Sequence, residues 1–152
     1  MDKEVEHQLK TQFKCDDLYA LSTGMLVYYH KFLLPQSGYS VFVNFFGRYM
    51  MATVFKDDRL IFHNILAYTT AKECLYFVMQ IYHQFDLDTH QLPVTLTGDI
   101  TKNSEIYKLC YKYIKTIYMP NRPSFYHYGS SINEKLDTTF FQDLFSLKLC
   151  AS

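Results

Sequence analysis

The stretch SVFVNFFGRYMMATVFKDDRLIFHNILA, residues 40–67, decides the fold that we predict for this chain of 152 residues. It contains three runs rich in β-branched and aromatic residues, which are typical of strands. The runs span residues 40–46, 49–56 and 59–67. Gly47 can supply the positive φ of a tight first turn, and Asp57 with Asp58 serves the second. The stretch therefore predicts an antiparallel meander.

The first of these runs is apolar on most of both faces. Val41, Val43 and Phe45 alternate with Phe42 and Asn44, so most side chains on either side avoid water. A strand that is covered on both faces belongs in the interior of a sheet. We therefore expect the first strand to be central.

Helical patterns lie on both sides of the meander. Apolar residues recur at helical spacing from Leu18 to Leu33, after possible caps at Asp16 and Asp17, and Pro35 ends this pattern. After the meander, the sequence T-x-x-E at residues 70–73 is a capping box that opens a helix of about four turns. Residues 1–14 form a polar arm before the first helix.

The remainder of the chain alternates between short strands and helices. A buried strand is predicted at residues 93–96, and it should lie parallel to the first because a helix crosses over to it. Asn103 or Ser104 then opens a helix, residues 125–128 form a fifth strand, and Asp137 or Thr138 caps a closing helix.

The predicted order of elements is β-β-β-α-β-α-β-α. With right-handed crossovers, its simplest arrangement is a mixed five-stranded sheet of order 3-2-1-4-5 with helices on both faces. This α/β (α+β) arrangement is that of a ribonuclease H-like or actin-like half-domain. We expect one such domain over residues 15–152, which is an ordinary domain length.

Composition restricts the partners and the compartment that we expect. Lysine plus arginine equals aspartate plus glutamate at 15 each, so no net field attracts nucleic acid or an anionic membrane. No run of eighteen apolar residues occurs, and the four cysteines lack a C-x-x-C pair. We expect a soluble cytoplasmic protein with buried, reduced thiols, no nucleic-acid partner and no membrane partner.

Six segments carry a resemblance to a known family. They are residues 41–66, LYF at 75–77, QFDL at 84–87, LTGDI at 96–100, Tyr113 with Ile114, and FFQDLF at 140–145. From about residue 16 to residue 150, the chain resembles the carboxyl-terminal part of a bacterial family catalogued as domain of unknown function 3822, described as having an actin-like ATPase fold. The resemblance implies that another half-domain faces this one.

The resemblance also implies where a nucleotide would bind. In active actin-like ATPases, the hairpin after the first strand holds phosphate through backbone N–H groups, and a nearby aspartate positions magnesium or water. The matching candidates here are Asn44, Gly47, Arg48, Gly98 and Asp99. Asn44 stands where a carboxylate is expected, and bulky phenylalanines precede the glycine, so retained ATP binding with Mg²⁺ is the alternative and not the first hypothesis.

A two-metal nuclease would instead gather carboxylates at the positions of Asn44, Glu73 and Asp99. A neutral amide at the central position cannot neutralise paired divalent cations, and the capping box already explains Glu73. The six histidines show no ligand spacing either. We assign no catalytic residue and no metal ligand.

The first hypothesis is thus a degenerate actin-like domain that does not turn over substrate and acts by binding a protein partner or by self-association. The helix predicted from residue 16 to residue 34, with small residues at Ser22, Thr23 and Gly24, is the candidate contact element or an ordinary packed helix. Tyrosine and phenylalanine make up 18% of the chain, which is typical of a tyrosine-rich core or of a binding surface.

Overall fold

The computed structural model describes residues 3–13, 20–129 and 136–150. Five strands form one mixed sheet in the order β3-β2-β1-β4-β5. Their bounds are β1 Tyr39–Phe46, β2 Tyr49–Lys56, β3 Arg59–Ala67, β4 Val94–Gly98 and β5 Ile117–Tyr118. The β1–β2 and β2–β3 pairs are antiparallel, whereas β1–β4 and β4–β5 are parallel. The predicted meander, the central first strand and the sheet order are confirmed.

Helices lie on both faces of this sheet. The helical elements of the described residues are α1 Lys3–Phe13, α2 Leu21–Tyr28, a π-helical turn Tyr29–Leu33, α3 Ala71–Gln84, α4 Glu105–Tyr113, α5 Gln142–Ser146 and a 3₁₀ helix Leu147–Cys150. Of these, α2 lies on one face of the sheet and α3 on the other. The capping box predicted for α3 is present, because Glu73 N–H donates to Thr70 Oγ1 and Thr70 N–H donates to the Glu73 carboxylate. Of the two caps suggested for α4, Ser104 is the one observed.

The sheet separates two hydrophobic cores. On one face, β1 residues Val41 and Val43 pack with Val78 and Ile81 of α3. On the other face, Phe42 packs under α2, and the Tyr29 ring stacks on it with centroids 4.2 Å apart. Because β1 contributes to both cores, its alternating side chains are almost all buried, as its composition predicted.

The start of α2 differs from the prediction. The helix begins at Leu21, after Ala20 in an extended conformation, and Asp16 and Asp17 lie outside the described residues. At the other end, the last turn before Leu34 is π-helical, and Pro35 follows it as predicted. A π-helical turn carries no distinct hydrophobic period, so the sequence pattern did not separate it from the α-helix.

The fifth strand was predicted at residues 125–128, and this prediction was wrong. The strand is Ile117–Tyr118, which pairs in parallel with Val94 and Thr95 of β4. The preceding helix ends at Tyr113, so the chain is extended early enough for Ile117 to join the core. Residues 125–128 instead place aromatic rings against Phe145.

The closing helix is also shorter than predicted and has another cap. It begins after Phe141, whose backbone is left-handed at φ 60°, and not after Asp137 or Thr138. Its polar residues Gln142 and Asp143 are buried, whereas Leu144 is 53% exposed. Hydrophobic spacing would place Leu144 toward the core, so the observed orientation of this helix is the reverse of that pattern.

Two of the predicted buried thiols are confirmed, since Cys74 and Cys110 are buried in the helical layer over the first core, while Cys150 is half-buried. Cys15 lies outside the described residues. Across residues 3–13, 20–129 and 136–150, every helix is too short or too polar to cross a bilayer.

Candidate functional site

The carboxyl ends of β1 and β4 meet in a buried polar cluster. The two strands are parallel neighbours with Asn44 opposite Thr97. The Thr97 hydroxyl donates to Asn44 Oδ1 at 2.8 Å, and the hydroxyl of Tyr29 lies 3.2 Å from Thr97 Oγ1. Since Thr97 gives its only hydroxyl hydrogen to Asn44, Tyr29 is the donor to Thr97. All three side chains are fully buried, so the hydrogen bonds Tyr29–Thr97–Asn44 link the π-helical turn after α2 to the middle of the sheet.

Gly98 follows this cluster and leaves β4 with a positive φ of 83°. A Cβ atom at this position would lie 2.8 Å from both Asn44 Oδ1 and Phe45 N, and it would clash with Phe45 O. Only glycine satisfies both the left-handed backbone and the close approach of β1. Gly98, which we suggested as a phosphate contact, is therefore required at this position by the fold itself.

The hairpin between β1 and β2 touches the residue after Gly98. Asp99 N–H donates to Phe45 O at 2.8 Å, which brings the Asp99 side chain beside the turn. Gly47 N–H then points at Asp99 Oδ2 over a long 3.4 Å contact. The amide that an actin-like ATPase would aim at phosphate is here aimed at a carboxylate of the same chain.

The segment from Thr139 to Ser146 covers the end of β4. Gly98 N–H donates to Thr139 O at 3.0 Å, and the Thr139 hydroxyl donates to Ile100 O at 3.1 Å. Gln142 Nε2 donates to Asn121 O at 2.9 Å, which ties the same segment to the loop after β5. These bonds keep the closing part of the chain over the position where the strands end.

The same segment rests against α2 through Gly24. A Cβ atom on Gly24 would lie 2.9 Å from the Ser146 carbonyl carbon and from Leu147 N. The small residue that we considered as a contact with another chain thus lets α2 and the closing segment approach within the chain. The simpler interpretation of that helix, internal packing, accounts for Gly24.

Helix α5 turns its polar side inward because it faces this cluster. Gln142 and Ser146 are fully buried and Asp143 is nearly so, whereas Phe141 and Leu144 contact water. Asp143 Oδ1 accepts from Leu144 N–H at 2.9 Å, which satisfies part of the carboxylate. The left-handed Phe141 backbone gives the sharp entry that puts this side of the short helix inward.

Burial raises the pKa of the Asp143 carboxyl, and the negative charge of Asp99 adds to that rise. The Asn44 carboxamide acts in the opposite direction and lowers the pKa of Asp143. Within the described part of the chain, no acceptor lies at hydrogen-bond distance from Asn44 Nδ2, so its interaction with Asp143 acts over a longer range. Asp143 is the group whose pKa the Asn44 amide affects.

Of the residues predicted for the site, Asn44, Gly47, Gly98 and Asp99 come together at the carboxyl ends of β1 and β4. Arg48 is exposed at the hairpin, and its carbonyl accepts from Tyr68 N–H at 3.0 Å. The Glu73 carboxylate accepts hydrogen bonds from the backbone N–H groups of Thr69 and Thr70, as the capping box predicted, and the side chain is exposed.

Three members of the cluster, Tyr29, Thr97 and Asp143, were not predicted. Thr97 carried a signal, because a hydroxyl within the apolar strand LTG, opposite another polar residue, suggests a buried hydrogen bond. Asp143 carried none, since an aspartate in a helical pattern normally faces water. The part of the chain that the structure describes contains no group of three or more histidine, cysteine or acidic side chains arranged to hold a metal.

Two comparisons with known proteins agree with this fold. Residues 1–117 match a family described as Protein of unknown function (DUF3822). A crystal structure of a Bacteroides thetaiotaomicron protein, described as having an actin-like ATPase fold and unknown function, superposes with a TM-score of 0.74. It shares 16% identity over 99% of this chain and 52% of its own length, so this chain spans about half of it. No curated protein matches the chain.

Proposed function

This chain belongs to the DUF3822 family and has an actin-like ATPase fold, and from the geometry of the site we propose that it acts by binding another protein and not by hydrolysing ATP. The main observation behind this proposal is that the two backbone N–H groups in the positions expected to bind phosphate both interact with acceptors of the chain itself. Gly47 N–H is aimed at Asp99, and Gly98 N–H donates to Thr139 O. A phosphate would have to displace both.

The charges at the site also oppose a nucleotide. Asp99 and Asp143 lie close enough for one carboxylate to raise the pKa of the other. Each would repel a phosphate at 4 Å by about 1 kcal/mol in bulk water and by about 4 kcal/mol near a protein surface. Asn44 contributes no charge that would hold Mg²⁺ between them, so the site lacks the means to offset this repulsion.

Surface on the outer part of the sheet supports protein binding. Helix α2 covers the middle of β1 and β2 but leaves apolar side chains of β3 and of the first residue of β2 in water. Tyr49 is 49% exposed, Leu60 46% and Ile65 47%. Exposed aliphatic and aromatic side chains on neighbouring strands are typical of a surface that a partner covers.

The nucleotide part of the proposal is tested by thermal unfolding with ATP and Mg²⁺, with Mg²⁺ alone and with ATP alone as controls. We expect no change in Tm at millimolar ATP. A true site would stabilise the fold by about 2.7 kcal/mol at a ligand concentration a hundred times its Kd. Such a shift in the wild type, abolished by Asp99→Ala, would contradict the proposal and favour the alternative below.

The partner part is tested by affinity purification of the tagged chain from cells of its native host. We expect a specific protein, or a second copy of the chain, to be retained by the wild type. Ile65→Lys should lose it, whereas a control on another surface, Asp88→Lys, should keep it. If the wild type retains no protein and stays monomeric, the proposal is wrong.

A residual nucleotide site is the second candidate, because Gly47, Gly98 and Asp99 do lie together beyond the carboxyl ends of β1 and β4. It requires the closing segment to move away from Gly98. The Asp143→Asn variant removes one of the opposing charges, so ATP-dependent stabilisation that increases in this variant would support it.

A further inference from the structure

A cavity of about 350 Å³ lies at the amino-terminal ends of β1 and β4, at the opposite end of these strands from Asn44 and Gly98. Its wall includes Leu33, Phe42, Leu92, Thr95 and Tyr118. Pockets that bind small molecules usually measure about 300–1,000 Å³. The cavity is therefore large enough to hold a ligand.

The cavity forms because two elements beside it are short. The π-helical turn closes with a bond from Leu34 N–H to Tyr29 O at 3.0 Å, and Leu34 is then extended and leads into Pro35. On the other side, β5 has only the two residues Ile117–Tyr118. The helical layer thus stops beside Leu33 and the sheet stops at Tyr118, which leaves space between them. Single π-helical turns are frequent at functional sites.

Three hydroxyl side chains line the cavity on one face of the sheet. Thr95 lies opposite Phe42 in β1 and opposite Tyr118 in β5. Residues opposite each other in neighbouring strands lie on the same face, as do residues two positions apart. Because Phe42 belongs to the core under α2, Ser40, Thr95 and Tyr118 lie on the face that α2 covers.

Thr95 is the most enclosed of the three, since it is only 9% exposed. Among the described residues its hydroxyl has no hydrogen-bond partner, whereas Thr97, two residues later, bonds to both Asn44 and Tyr29. The Thr95 oxygen stays accessible from the cavity. A nearly buried hydroxyl without a partner is unfavourable. A ligand that forms a hydrogen bond to Thr95 would remove this cost.

The wall of the cavity is uncharged, since none of the described residues that line it is acidic, basic or a histidine. Lys56 Nζ lies over the Tyr39 ring, 5.3 Å from its centroid, and is not itself part of the wall. Pro35 and Pro93 at the rim have no backbone N–H to offer. A charged ligand would lose its hydration here without gaining a counter-charge. The cavity therefore favours a neutral ligand.

We propose that this cavity binds a neutral aromatic small molecule with one hydrogen-bonding group, which pairs with the Thr95 hydroxyl. The rings of Tyr39, Phe42 and Tyr118 offer aromatic surface to such a ligand. A cavity of roughly 150 Å³ holds benzene, so one of about 350 Å³ holds two fused rings. The inference goes beyond the proposed protein binding and does not depend on it.

Indole is the probe, because it is neutral and has two fused rings and one N–H donor. The chain contains no tryptophan, so fluorescence excited beyond the tyrosine absorption comes from indole alone. We expect saturable binding to the full chain with a Kd below about 1 mM. In ¹⁵N-labelled protein, the amide signals of Ser40, Thr95 and Tyr118 should shift with the same Kd.

The hydrogen bond is tested with 1-methylindole, which lacks the donor but has nearly the same shape. The wild type should bind indole about fivefold more tightly, as one neutral hydrogen bond implies. Thr95→Val keeps the shape of the wall and removes the acceptor, so both ligands should bind it equally. Thr138→Val, at an exposed threonine outside the cavity, is the matched control and should keep the preference. Indole-3-acetate should bind at least about tenfold more weakly than indole, because its carboxylate would lose hydration.

Ser40→Phe and Leu92→Phe each fill the cavity from a different part of the chain, and both should abolish binding. Circular dichroism establishes that they fold, and the amide shifts of the wild type locate the site independently of them. Absence of saturable indole binding to the wild type overturns the inference. So does binding that persists in the folded filling variants, a preference for indole that Thr95→Val leaves unchanged, or indole-3-acetate that binds as tightly as indole.

Discussion

The Thr97 hydroxyl lies 2.8 Å from Asn44 Oδ1, and neither side chain reaches solvent. This bond fixes the orientation of the Asn44 amide. With its oxygen held by Thr97, the nitrogen is the side left to interact with the carboxylate of Asp143 in the closing helix. An amide at position 44 is thus compatible with a negative charge that the same chain provides, that of the Asp143 carboxylate.

Asn44→Asp should destabilise the protein at neutral pH. It places a second carboxylate near Asp143 and removes the donor, and two like charges about 4 Å apart near a protein surface repel each other by about 4 kcal/mol. Urea unfolding at pH 7 measures the loss. Combining it with Asp143→Asn restores one donor and one acceptor, so the double variant should recover most of the stability. A single variant as stable as the wild type would refute the interaction between positions 44 and 143.

Asp143→Asn should stabilise the protein at pH 7 and have little effect in acid. The folded-state pKa of Asp143 is raised, so the folded protein favours the protonated form. Its contribution is fully favourable below the unfolded pKa, about 3.9, and is lost as pH rises through the folded value. Paired Tm measurements from pH 4 to pH 7 should show a difference between variant and wild type that grows with pH. A difference that shrinks with rising pH has the wrong sign.

Gly98→Ala and Gly47→Ala form a matched pair, since both glycines have positive φ. Gly98 also has Phe45 and Asn44 against the missing Cβ, whereas Gly47 has open space around it. We expect losses of about 3 kcal/mol or more at Gly98 and about 1 kcal/mol at Gly47. Chemical denaturation of the two variants compares them directly. Equal losses would mean that β1 does not approach Gly98 so closely.

Cys74 and Cys110 should resist thiol reagents in the folded protein. Burial raises the pKa of Cys74 to about 12 and that of Cys110 to about 11. Because the thiolate is the reactive form, the thiolate fractions at pH 8 predict that Cys110 reacts about two hundredfold more slowly, and Cys74 about two thousandfold more slowly, than an exposed cysteine. Alkylation followed by peptide mass spectrometry measures this, with guanidinium-unfolded protein as the control. Rapid labelling of either residue before unfolding would contradict the packing of α3 and α4.

Local periodicity was sufficient to predict the meander, α3 and the sheet order. In residues 40–67, strand runs and turn residues agree with each other, and the capping box at Thr70 and Glu73 needs no distant partner. The two-residue strand at Ile117 was missed because so short a run has no period, and its position depends on where α4 ends. The meander, α3 and the sheet order were predictable because several local signals agree with each other.

The inverted face of α5 depends on contacts that no local pattern contains. A helix reading FFQDLF is expected to bury Phe141 and Leu144, yet it buries Gln142 and Asp143. The partners of these two polar side chains lie outside the helix, since Gln142 donates to Asn121 O and Asp143 interacts with the Asn44 carboxamide. Likewise, convergence of Gly47, Gly98 and Asp99 could be expected from the topology, whereas the cover provided by Thr139 could not.

The cover over the strand ends also sets an order of events during biosynthesis. Residues 139–150 leave the ribosome after all five strands, and until then Gly98 N–H lacks the Thr139 carbonyl and Gly24 lacks its neighbours. A nascent chain halted before this point contains the residues of all five strands but not the segment that covers Asn44 and Thr97. The cover over Asn44 and Thr97 therefore forms only after residues 139–150 have been synthesised, and we expect a chain stalled before this point to be more sensitive to proteases at the strand ends than one extended past it.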